Sequence, residues 1–185
     1  MKNQRNNQFL LASLWIVLGV FARFIPHPPN VSPMNSISIF GGAQLSRSAA
    51  FLVTFVAMIF SDLLIAYVQG HSAFGWWTLF TYTGFAAMIV AGGLLCNRFT
   101  APRALALILG SSVGFWLWTN FGIWVTGDHQ MYPRTLEGLA ACYSAALPFL
   151  ANSMAGDLFW GSAFFLSFYG LKKLAPRFGM NVQGA

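Results

Sequence analysis

Between Arg47 and Arg98 the only Asp, Glu, Lys or Arg is Asp62, and between Arg103 and Asp128 there is none. Apolar stretches this long are too extensive for the core that 185 residues can build. A compact chain of this size hides only about 70% of the surface its unfolded form exposes. A bilayer is the solvent that accepts the remainder, at roughly 20 apolar helical residues per crossing. Composition agrees: 57% of the residues are hydrophobic and 8% charged, where a soluble domain carries about 25% charged residues. The chain therefore reads as an all-α integral membrane protein, a single membrane domain over residues 1–185. That excludes a secreted disulfide scaffold, a disordered tail and, despite a net charge of +6, a nucleic-acid binder. Cys96 and Cys142 have no repeated spacing and imply neither a disulfide framework nor a metal module.

Apolar runs broken by Pro, Gly, Asn or charge predict six crossings, near 8–25, 34–46, 48–68, 76–96, 104–126 and 150–171. The second is short or broken, since it follows the proline-rich stretch Pro26 to Pro33 and carries Gly41-Gly42. Residues 135–147 end at Pro148 and read as a re-entrant or interfacial helix before the last span. With six spans, Lys2, Arg5, Arg47, Arg98, Arg103, Lys172, Lys173 and Arg177 share one side and only Arg23 and Arg134 the other. The positive-inside rule then makes both termini cytoplasmic, in a multi-pass inner-membrane protein. A rival reading treats residues 1–22 as a cleaved signal peptide, because Lys2 and Arg5 precede an apolar run.

The scarce polar residues gather on the outer side. His27, His71 and His129 fall in external loops. At 1.5 Å per residue, Asp62 and Asn120 lie roughly 9 Å, and Asp157 roughly 10 Å, below the outer ends of their spans. An intramembrane carboxylate is costly and marks a functional site by default. The bland alternative is a structural contact between helices, such as Asp62 paired with Arg23. Trp76, Trp77, Tyr82, Trp118, Trp124 and Tyr132 also map to the outer half, with Trp15 and Trp160 near mid-span. Trp76 and Trp77 suit an interfacial aromatic belt. Trp118 and Trp124, with Phe121, flank Asn120, and aromatic surface beside a few convergent polar groups suits a pocket for a large organic ligand.

Ala106, Gly110 and Gly114, and separately Ala87 and Ala91, form small-xxx-small patterns that predict close helix contacts. The chain contains no GxSxG, HExxH, CxxC or Walker A sequence, so no hydrolase elbow, zinc site, thiol redox pair or ATP-binding loop is expected. Cys142 reads as a packing residue, or else as a soft-metal ligand near the pocket.

Taken together, several blocks resemble a bacterial family of small transport proteins. They are Arg23-Phe24-Ile25-Pro26-His27-Pro28-Pro29-Asn30-Val31-Ser32-Pro33, Phe40-Gly41-Gly42-Ala43, Ser61-Asp62-Leu63, Thr119-Asn120-Phe121-Gly122-Ile123-Trp124, Tyr132-Pro133-Arg134-Thr135-Leu136-Glu137-Gly138-Leu139, Ala146-Leu147-Pro148-Phe149 and Gly156-Asp157-Leu158. That family is similar to the substrate-binding S components of energy-coupling-factor (ECF) transporters, closest to the solitary BtuM-like cobalamin-uptake proteins. The resemblance implies a six-transmembrane-helix S-component-like bundle whose pocket opens to the periplasm and takes cobalamin, another corrinoid or a vitamin-like solute. Two departures stand out. Thr78 to Gly84, where such proteins present a cysteine to cobalt, has none, and Ala12 is followed four residues later by Ile16 in place of a second alanine for docking a coupling subunit.

On this reading Asp62, Asn120, Asn152 and Asp157 hydrogen-bond the solute, and His27 and Asn30 stand at the mouth. Tyr82 belongs to the same wall, Trp118, Trp124 and Tyr132 stack, and Arg134 meets a phosphate. The expected partners are the solute, the lipid bilayer and, conditionally, an ECF-type ATPase module, with no resident cofactor, metal or catalytic group. Two other classes stay open: a membrane enzyme using His27, His129 or Cys142, and a structural subunit whose polar residues only pair between helices.

Overall fold

The computed structural model describes residues 2–95, 100–127 and 129–174. Cys96, Arg98, Asp128 and Arg177 lie outside them. Every regular element among the described residues is a helix: α1 (Lys2–Phe21) with a 3-10 turn at Ala22–Phe24, α2 (Met34–Gln44), α3 (Arg47–Gln69), α4 (Trp76–Gly92) ending in a 3-10 turn at Gly93–Leu95, α5 (Ala101–Thr126) and α6 (Leu136–Leu174).

Three of the helical segments, Arg47–Gln69, Trp76–Leu95 and Ala101–Thr126, are long and apolar enough to cross a membrane. In α3 the large apolar side chains point outward: Leu52, Val56, Phe60, Leu63 and Tyr67 are exposed, Tyr67 to 86%, while Ala50, Thr54, Met58 and Ser61 are buried. A helix that exposes its bulk and buries its small and polar residues is inverted for water and suited to lipid. The apolar part of α1, Ala12–Phe24, is shorter, and Asn152 and Asp157 interrupt the apolar run of α6.

The centre of the bundle is α2. Its 11 residues rise about 16 Å, half a bilayer core, and every residue from Met34 to Ala43 is buried. Helices α1, α3, α4, α5 and α6 all pack around it. Small residues make such crowding possible. A Cβ on Gly42 would lie 1.9 Å from the Ile89 carbonyl oxygen in α4, and one on Gly92 would lie 2.2 Å from the Ile39 carbonyl oxygen in α2. The two glycines thus seat each helix against the other's backbone. On the far side Phe40 meets Phe164, Phe165 and Phe168 of α6 at ring-centroid distances of 5.2–5.8 Å. Ser38 donates to the Met34 carbonyl at 2.9 Å, which satisfies its hydroxyl inside this apolar shell.

Two local expectations are corrected. No separate interfacial helix spans 135–147, because α6 runs unbroken for 39 residues with Pro148 inside it. Proline removes one i→i−4 bond, but α5 holds the preceding turns in place: the Trp116 indole donates to the Ala146 carbonyl at 2.9 Å and the Tyr143 hydroxyl to the Leu117 carbonyl at 2.8 Å. Gly110 and Gly114 meet nothing within 4 Å, and Ala106 is exposed with them. The inward face of α5 carries Ala104, Ile108, Ser112 and Asn120, and residues offset by two from that series point the opposite way at 100° per residue.

Candidate functional site

The site is framed by helix ends that must satisfy their own backbone. Helix α3 stops at Gly70, whose φ of 71° lets both its own NH and that of His71 reach the Ala66 carbonyl. At the end of α5, Arg134 donates to the Val125 carbonyl at 2.8 Å and the Trp124 indole to the Pro133 carbonyl at 2.9 Å, folding loop 127–135 back on the helix. Loop 26–33 turns at Asn30, with φ 64°. It lies against α6, where a Cβ on Gly156 would come within 2.9 Å of Val31 Cα and the Asn152 amide donates to the Pro29 carbonyl at 3.1 Å.

Between these loops and the floor formed by α2 lies a cavity of about 530 Å³. Phe85, Phe115, Trp116 and Phe149 give it aromatic walls, and Asn30 and Tyr132 come to it from the two loops. One flank is an ion pair: Arg23 Nη1 stands 2.7 Å from Asp62 Oδ1 and donates to Ser61 Oγ at 2.5 Å. The Tyr82 hydroxyl donates to Asp62 Oδ2 at 2.6 Å, so both carboxylate oxygens are engaged. A second cavity of about 420 Å³, lined by His71, Trp77 and Tyr82, shares Arg23, Asp62 and Thr81 with the first. The ion pair therefore stands in the partition between them.

Beneath the floor is Asp157, 1% exposed. Its Oδ2 accepts from Asn35 at 2.8 Å and from Ser112 at 2.7 Å, and its backbone carbonyl accepts from Ser36 at 3.1 Å. One carboxylate thereby ties α2, α5 and α6 together. Asn120 is 9% exposed, and its amide donates to the Trp116 carbonyl at 2.8 Å. Beside it Cys142, which also lines the cavity, directs its thiol at the Asn120 backbone carbonyl, 3.6 Å away.

Of the residues that the sequence nominates, Asn30, Asp62, Asn120 and Tyr132 line the main cavity and Tyr82 the adjoining one. Asp157 lies below, with Asn35 of the lining hydrogen-bonded to it. Asn152, Trp124 and Arg134 hold the loops. Trp118 donates to Thr83 at 2.8 Å beside an outward groove between α4 and α5. His27 is exposed, its Nδ1 3.0 Å from the Pro28 carbonyl. Asn35, Ser32 and Ser153 also line the cavity and are not among the residues that the sequence nominates. The available signal for Asn35 is an amide at the start of a helix too short to cross.

Over residues 3–178 the chain matches the model of a family described as a family of unknown function, DUF6580. No curated protein and no solved structure matches it.

Proposed function

The chain belongs to this family of unknown function, and we propose from its geometry that it is a membrane solute-binding protein of the S-component kind. Six segments cross the inner membrane, both termini are cytoplasmic, and the cavity faces the periplasm. One observation carries the reading: a cavity of about 530 Å³, within the 300–1,000 Å³ usual for small-molecule sites, opens between helices suited to lipid and combines aromatic walls with polar groups. A vitamin-sized solute fits whole. A corrinoid is larger than this volume, so it enters by one edge and occupies the mouth between loops 26–33 and 127–135. Closure of these loops retains the solute, and release inward requires a partner, such as an ECF-type module, or a rearrangement around α2.

The test is titration of the purified protein in detergent with cyanocobalamin and a panel of smaller vitamins, together with mass spectrometry of solutes retained after mild extraction. The expected result is at least one solute with a micromolar Kd whose binding is lost in Ala145→Trp, a substitution that fills the cavity. A panel without a binder and an empty retained fraction would sink the proposal.

Cys142 separates binding from chemistry. Because its thiol is buried against the Asn120 carbonyl, Cys142→Ser is expected to change the solute Kd less than threefold and to leave the bound solute chemically unaltered. Loss of a turnover activity in that variant, with binding intact, would favour a membrane enzyme.

A further inference from the structure

We infer that the solute is an uncharged molecule that presents N–H or O–H donors to Asn35 and Asn120. The inference rests on the reading of the main cavity as a solute site and deepens it. Among the described residues two charged side chains line that cavity, Arg23 and Asp62, and they neutralise one another at 2.7 Å. Both oxygens of Asp62 are engaged, one by Arg23 and the other by Tyr82. The free N–H groups of Arg23 can meet a solute carbonyl, but their charge is already balanced. Asp157 lies outside the lining and accepts from Asn35 and Ser112. An ion entering the cavity would lose much of its hydration and find no unpaired counter-charge among the described residues.

The neutral groups have a defined polarity. A carboxylate accepts and does not donate, so Asn35 must turn its NH2 to Asp157 and its Oδ1 away. The Trp116 carbonyl imposes the same choice on Asn120. Neither Oδ1 has a partner among the described residues, and both residues line the cavity. Two acceptors without protein donors at the cavity lining are specific when a solute donor fills them. Asn35 shares Asp157 Oδ2 with Ser112, which stands eight residues before Asn120 on α5, about 12 Å along the axis. The solute therefore carries donors spread over about that length, around a ring held between the aromatic walls. Primary amides, ureas, hydroxylated rings and neutral heteroaromatic N–H compounds fit; acids and amines do not.

The experiment is saturation-transfer NMR on the wild-type protein in nanodiscs with matched probes: phenylacetamide, phenylacetate and phenethylamine, then nicotinamide and nicotinate. The amides are expected to bind at least tenfold more tightly than the acid and the amine, with the signal lost in Ala145→Trp. Asn120→Leu, which removes the acceptor at similar volume, is expected to weaken the amides about tenfold, and Asn120→Asp, which adds a charge, to recruit phenethylamine. Acid or amine binding equal to the amide in the wild type overturns the inference and leaves the solute-site reading standing. A wild type that binds no probe of any charge overturns both.

Discussion

Replacing Gly42 with alanine is expected to destabilise the protein by about 3 kcal/mol, whereas the same change at Gly110 costs nothing measurable. The added Cβ at position 42 would lie 1.9 Å from the Ile89 carbonyl oxygen and 2.8 Å from its carbon. Both are backbone atoms, and neither can rotate away. Helices α2 and α4 would have to part by about 1 Å or more, and the Gly92 contact with Ile39 would open with them. Because α2 touches every other helix, that displacement reaches the cavity floor at Asn35. At Gly110 a Cβ meets nothing within 4 Å, and alanine is the better helix former by up to about 1 kcal/mol. Thermal unfolding midpoints of the two variants in one detergent decide the matter. Equal midpoints would show that the α2–α4 seam is not the tight contact of this bundle.

That contrast also shows what could be read from the sequence. The bilayer imposes an apolar run of fixed length, so α3, α4 and α5 are visible as runs, and their observed ends lie within a few residues of the expected ones. Glycine spacing gives the presence of a small face but not its direction, which depends on where Ser112 and Asn120 are drawn. The Gly41-Gly42 pair reads locally as a helix breaker, yet here it permits contact. Pro148 is a breaker by local rules as well, and only the bonds from Trp116 and Tyr143 on α5 show why the helix continues.

Within the site, the polar residues are legible as a group because each is expensive in lipid, but their partners are not. Trp124 and Arg134 serve backbone carbonyls beside α5, since a helix end needs donors before a pocket does. Asp157 finds one donor on α2, more than a hundred positions away in the chain, and another on α5.

Arg23→Met is expected to cost about 2–3 kcal/mol, and Arg23→Met/Asp62→Leu to recover most of that loss. In the single variant Asp62 keeps Tyr82 as a donor but loses its cation in a half-buried position, and an uncompensated carboxylate there is the main cost. Removing both charges removes the cost, because a mutually paired ion pair contributes little net stability once desolvation is counted. Solute binding should follow a different order. The pair stands in the partition between the two cavities, and Arg23 holds the only spare cationic donors of the lining. The double variant should therefore be stable, yet bind its solute at least tenfold more weakly than the wild type. Unfolding midpoints and solute titrations on all four members of this cycle test both statements. If the double variant regains stability and full affinity together, the pair is a structural brace between α1 and α3 with no part in recognition. If it regains stability alone, the ion pair belongs to the binding surface, and its polar groups, the spare N–H donors of Arg23 first, are what the solute reads.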